Sequence, residues 1–149
     1  MTEQVIDQIN AKQLAGQNFR DGYNCAEAVV RAFRDVMEVD ISDEALRMAS
    51  GFGGGLGHAG CMCGALTGAV MVLGMLQGRV SKDQNRGPIY NSAQEFHSIF
   101  KAKFGSTCCR VLNRHPFDTK EHLRNCIKIT GNTAELLEQY LEANNLQSS

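Results

Sequence analysis

From Cys25 to Met37 the apolar residues Cys25, Ala28, Val29, Ala32, Phe33 and Val36 recur three or four apart, the spacing that lays one buried stripe along an α-helix. Nowhere along the 149 residues does apolar and polar character alternate for long enough to form a strand. A chain with the first pattern and without the second has to bury helices against helices. The expected fold is therefore all-α: a single-domain bundle over residues 1–149, of about six to seven helices with a glycine-rich loop. At this length folding hides roughly 70% of the surface that the unfolded chain exposes, enough for a true core.

Local punctuation marks the helices. The first runs from Val5 to Phe19 and breaks at Asp21-Gly22-Tyr23. Asn24 caps the second, Cys25 to Met37, and Ser42 caps a short third, Asp43 to Ser50. Gly51 to Gly60 holds six glycines in ten residues. Each would cost a helix about 1 kcal/mol relative to alanine, so this stretch reads as a loop with unusual backbone angles. An apolar helix resumes from Cys63 to Leu76 and ends at Gly78, with the small residues Gly64, Gly68 and Ala69 near one side. Pro88 opens a helix that Gly105 terminates after Phe104, and Ser106 or Thr107 caps a short helix holding Cys108 and Cys109. Asp118-Thr119-Lys120-Glu121 reads as a capping box for a helix through Ile129. Gly131-Asn132-Thr133 then separates it from a last helix, Ala134 to Asn144.

Composition narrows the function classes. With 43% hydrophobic and 21% charged residues the chain is globular rather than disordered, and its net charge of −1 offers no electrostatic surface for nucleic acid. The longest apolar stretch, Cys61 to Leu76, is 16 residues and is interrupted by three glycines. It falls short of the ~20 residues of a membrane span and reads as a buried core helix. The start, Met1-Thr2-Glu3-Gln4, lacks the basic and apolar regions of a secretory signal, so the expected compartment is the cytoplasm. In that reducing setting six cysteines read as metal ligands or redox-active thiols rather than structural disulfides.

Their placement sharpens this. Cys25 follows its cap Asn24, Cys63 opens a helix after the glycine loop, and Cys108 and Cys109 follow a Ser-Thr cap. Helix starts present free N–H groups and a positive dipole end, which favour a thiolate, the form that binds metal or attacks disulfides. Cys126 lies within a helix, with His122 four residues before it on the same face. The alternative for each is core filling, weakest for Cys63 beside the glycine-rich loop and evenly balanced for Cys126. Cys61-x-Cys63 and the adjacent Cys108-Cys109 do not match zinc-ligand spacing, and no C-x-x-C or C-x-x-C-H is present, so neither a thioredoxin-like motif nor c-type haem is expected. Gly55-x-Gly57-x-x-Gly60 matches the dinucleotide fingerprint only formally, because it follows a helix, and no nucleotide is expected. Of the histidines, His58 in the glycine loop is the one placed to act; His97 reads as an ordinary helix-face residue.

Three segments carry a resemblance. Asn24-Cys25-Ala26-Glu27-Ala28, the Gly51–Gly57 loop with Cys63-Gly64-Ala65-Leu66-Thr67-Gly68-Ala69, and Phe104 to Leu112 around Cys108-Cys109 resemble the redox-active family named after its C…GCAxxG…C…C pattern. Cys126 falls where that family's fourth cysteine is expected, and the likeness spans about residues 20 to 130. The resemblance implies that Cys25, Cys63, Cys109 and Cys126 form the redox centre, with Gly64 beside it. The core here reads Cys63-Gly64-Ala65, the variant order C-G-A-x-x-G, and Cys61 and Cys108 are additions that could supply a resolving thiol or a further ligand.

The leading expectation is a redox protein whose four cysteines converge near the glycine loop. They would act either as ligands of an iron–sulfur cluster or as a thiol/disulfide couple, in which Cys63 would be the most acidic thiol. It would serve a redox partner that the sequence does not identify. The rivals are a zinc-binding structural module on the same cysteines, and a helical partner-binding domain that forms a homodimer through Gly64, Gly68 and Ala69.

Overall fold

A computed structural model describes residues 10–37 and 40–146. Among these residues there are helices and no strand: α1 (Ala11–Arg20), α2 (Cys25–Met37), α3 (Asp43–Met48), α4 (Gly53–Leu56), α5 (Gly64–Gln77), α6 (Gly87–Phe104), α7 (Cys109–Leu112) and α8 (Lys120–Ala143). α4 and α7 are single four-residue turns, so the bundle is built from the other six, as the helical periodicity requires.

Most of the anticipated caps are present. The Asn24 side chain accepts from the Glu27 N–H, and the Glu27 carboxylate accepts from the Asn24 N–H, each at 2.9 Å, a reciprocal capping box at the start of α2. Ser42 accepts from the Ala45 N–H at 3.2 Å. Pro88 sits in the first turn of α6, and Gly105, at φ 88°, terminates it in the left-handed region.

Three sequence expectations change. Asn10 caps α1 by accepting from the Gln13 N–H, so that helix begins at Ala11; Val5, Ile6 and Ile9 lie outside the described residues. The capping residue of α8 is Thr119, whose hydroxyl accepts from the His122 N–H at 3.2 Å; His122, not a glutamate, therefore stands three residues past the cap. Gly131-Asn132-Thr133 breaks nothing, because α8 runs unbroken for 24 residues. Gly131 is buried where α1 crosses α8, and a Cβ there would approach the Lys12 carbonyl oxygen to 3.3 Å. Its smallness serves close packing rather than chain reversal.

The core lies between α2, α5, α6 and α8. α2 packs on both α1 and α5, and α8 covers α1 while also touching α2, α5 and α6. Phe33, Leu66, Leu73, Phe96, Phe100 and Leu137 are all essentially inaccessible. α5 is buried on most sides, which its sequence, apolar but for Thr67 and Gln77, demands. Its small-residue side is occupied within the chain: Gly64 and Gly68 lie against the Cys25 sulfur and the Ala26 backbone of α2. No helix among the described residues is long and apolar enough to cross a membrane.

Candidate functional site

The glycine-rich stretch departs from a simple loop by closing one irregular turn, α4, in which Gly54 and Gly55 take φ values of 66° and 68°. Gly57 and Gly60 are left-handed as well. At Gly55 a Cβ would also press on the Cys61 backbone nitrogen and the Gly60 carbonyl carbon, so only glycine serves there. The result is a tight ring of backbone that lies beside the starts of α2 and α5.

Against this ring lies a cavity of about 360 Å³. Cys25, Cys63, Cys109 and Cys126 all line it, together with His58 and His122, and among the described residues no carboxylate does. Each thiol arrives on a different element: Cys25 as the first residue of α2, Cys63 as the cap of α5, Cys109 as the first residue of α7, and Cys126 from the second turn of α8. Cys25, Cys63 and Cys109 are buried, Cys126 partly so, and all four are free thiols. Cys25 lies within electrostatic range of the other three. Gly64 lies under the Cys25 sulfur, where a side chain would collide with it. Cys61 and Cys108 are not part of the cavity wall.

The helix-start placement is as anticipated, but its electrostatic consequence is not. Backbone N–H groups do point at sulfur, those of Gly54, Ala26 and Gly64 at Cys25 and those of Ala65 and Leu66 at Cys63. Burial outweighs them. Desolvation, with the neighbouring Cys25 adding to it, pushes the Cys63 thiol up to about 12, so Cys63 is not an acidified nucleophile. Burial likewise raises Cys25 and Cys109, and pushes Cys126 up to about 12 against the opposing Asn113 hydrogen bond. The metal-free cavity thus holds neutral thiols at pH 7.

A pH dependence follows. The folded state holds the Cys63 proton more tightly than the unfolded chain, so this stabilisation is whole below the ordinary thiol value of 9.0 and is lost as pH rises toward 12. Each pH unit across that window should remove about 1.4 kcal/mol through Cys63 alone. Urea unfolding of metal-free, reduced protein at stepped pH measures it; a stability flat from pH 8 to 11 would show that the thiol is not buried as described.

The α8 side of the cavity contains an arrangement that spacing only half announces. The Nδ1 atom of His122 lies 3.0 Å from the His115 carbonyl oxygen, which can only accept. Nδ1 therefore carries the proton, and Nε2, 3.3 Å from the Cys126 sulfur, is left to accept from the thiol. Asn113 donates to the same sulfur at 3.2 Å and to the His122 carbonyl at 2.9 Å. Phe117 bridges the two histidines, stacked on His58 at 4.2 Å between ring centres and tilted against His122 at 4.8 Å. Thr130 is among the residues around the cavity; it is fully buried and its hydroxyl has no hydrogen-bond partner. The i, i+4 spacing flags His122; nothing local in the sequence flags Asn113, Phe117 or Thr130.

Among the described residues no three His, Cys, Asp or Glu side chains are arranged to hold a single metal ion. The donor set is nevertheless a soft one, four cysteines around a space larger than one ion. By donor chemistry, such a set would suit a polynuclear sulfur-ligated group rather than a single ion.

Comparison with known proteins places this geometry in context. The family described as "Putative redox-active protein (C_GCAxxG_C_C)" matches residues 23–140, a span that contains all four cavity cysteines. An uncharacterized protein of Archaeoglobus fulgidus is 24% identical over 135 residues, covering 85% of this chain and 89% of the relative. No solved structure matches.

Proposed function

We propose, since this chain belongs to the C_GCAxxG_C_C family, that its redox centre is an iron–sulfur cluster held by Cys25, Cys63, Cys109 and Cys126, and that the protein carries electrons singly to or from a redox partner. The observation that carries this reading is the meeting of four thiols from four separate elements on one cavity, without a carboxylate among the described residues. Buried thiols with raised pKa values make poor nucleophiles, which weakens disulfide exchange at this centre. With a cationic group bound, Cys25, Cys63, Cys109 and Cys126 would release their protons and hold it as thiolates. When bound, such a cluster supplies one-electron transfer at a potential set by hydrogen bonds to sulfur. The N–H groups around Cys25 and Cys63 and the Asn113 amide at Cys126 are the donors that would set it.

A second reading has an observation of its own. The His115 carbonyl, His122 and Cys126 line up as orienting group, base and thiol, the order a thiol nucleophile requires. Anaerobic purification with a visible spectrum and iron, sulfide and zinc analysis separates the readings. The cluster reading expects charge-transfer absorption that bleaches on reduction, with iron and inorganic sulfide in matching amounts. Colourless zinc-loaded protein overturns it in favour of a structural metal. Metal-free protein that loses two thiols, Cys126 among them, on mild oxidation favours the nucleophile.

A further inference from the structure

Two cysteines take no part in the cavity, and the fold brings them together on its outer side. The Cys63 N–H donates to the Thr107 carbonyl at 2.8 Å, and the Arg110 N–H donates to the Gly60 carbonyl at 3.1 Å. These bonds have antiparallel sense, and they clamp residues 60–63 against residues 107–110 with Cys61 and Cys108 in the bracketed interval. The Cys61 and Cys108 side chains lie close enough to influence each other's charge. Both are partly exposed free thiols, unlike the buried Cys63 and Cys109 beside them. A third clamp, the Cys61 N–H to the Gly55 carbonyl at 3.3 Å, holds this segment to the glycine ring. Two neighbouring thiols, bracketed by these backbone bonds and partly open to solvent, are placed to exchange with a small disulfide and then with each other.

We propose that Cys61 and Cys108 form a second thiol site, separate from the cavity, that is oxidised to an intramolecular disulfide by exchange with small disulfides such as oxidised glutathione. One of the two sulfurs, giving its proton to water, attacks a sulfur of the small disulfide. An S–S bond forms to the protein, and one small thiol leaves with the bonding electron pair and takes up a proton. The other cysteine then loses its proton and attacks the protein sulfur of this mixed disulfide. The Cys61–Cys108 bond forms and the second small thiol leaves. The protein dithiol has lost two electrons and two protons; the small disulfide has gained both and become two thiols. The bond would fasten together the segments that present Cys63 and Cys109, so it reports the thiol poise of the surroundings at the edge of the centre. This inference does not depend on what the four cavity cysteines hold.

The test treats the full chain, purified anaerobically, with oxidised glutathione and follows intact mass, free thiols and tryptic peptides. The wild type should lose two thiols and two mass units with no glutathione retained, joining peptide 48–79 to peptide 104–110. Each of those peptides holds two cysteines, so fragment ions must place the bond at Cys61 and Cys108. In Cys61→Ser and Cys108→Ser the second step is blocked, and one glutathione should stay attached to the remaining partner. A bond that uses Cys63 or Cys109, or a wild type that retains glutathione, overturns the proposal. Helix content by circular dichroism confirms that both variants fold. Iron and sulfide in the Cys61→Ser, Cys108→Ser double variant should equal those of the wild type; a loss would make these residues ligands and also overturn the proposal. Absence of iron from every form would instead sink the cluster reading while leaving the disulfide map to stand or fall by itself.

Discussion

Serine at Cys63 should leave a folded protein stripped of its iron and its visible absorption, and serine at Cys25 or Cys109 should do the same. Each of these sulfurs enters the cavity from its own element, so no neighbouring cysteine on the same element can take the place of Cys25 or Cys63. Removing a ligand should exceed the roughly 10- to 100-fold fall in metal affinity that follows loss of a ligand's supporting partner. Asn113→Ala, which deletes the hydrogen bond to the Cys126 sulfur, should stay within that range: iron retained more weakly, with a shifted reduction potential. The serine oxygen nearly matches sulfur in shape, so helix content should not change. Iron and sulfide assays on anaerobically reconstituted variants provide the readout. Full iron in Cys63→Ser would remove that residue from the centre. Full iron in all of them would end the cluster reading.

The second large effect is on stability, and it has a built-in contrast within one helix. A Cβ placed at Gly68 would lie 2.8 Å from the Ala26 carbonyl oxygen and 3.0 Å from the Ala26 Cα, so the obstacle is backbone and cannot turn aside. At Gly74, on the same helix, an added Cβ meets nothing within 4 Å. Alanine favours a helix by up to about 1 kcal/mol at either position. At Gly68 that gain is overtaken by overpacking, typically ~1–3 kcal/mol and larger when two backbones must part. Gly68→Ala should therefore lose about 2 kcal/mol net, a melting point lower by roughly 4–8 °C, whereas Gly74→Ala should gain about 1 kcal/mol. Because α5 carries Cys63 on its cap and α2 begins at Cys25, pushing these helices apart should also weaken metal retention in Gly68→Ala. Calorimetry on the two variants decides it: shifts of the same sign would show that α2 and α5 do not pack as described.

That contrast also marks how far the sequence could be read. The helical class, the caps Asn24 and Ser42, and the terminator Gly105 were legible because each rests on interactions within a few residues. So was the positive-φ character of the glycine stretch, which needs no partner from elsewhere in the chain. Gly131 misled because a helix that must pass another closely and a helix that must stop use the same residue. The sign of the thiol pKa values misled for a related reason. Helix starts are local and visible, but the desolvation that overcomes them is produced by other helices closing over the sulfur.

What the sequence alone determined is therefore the local grammar: helices, their ends, and six cysteines of which the family pattern singles out four. Only the tertiary structure decided which sulfurs share a space. It buried Cys109 at the cavity and left the adjacent Cys108 partly exposed outside it, and it did the same with Cys63 and Cys61. It also brought Asn113, Phe117 and Thr130 to the cavity from positions without local signal. The physical reason is that helix formation is set by contacts three and four residues apart. A cavity is set by which helix faces meet, and here that depends on backbones drawn together at Gly64, Gly68 and Gly131.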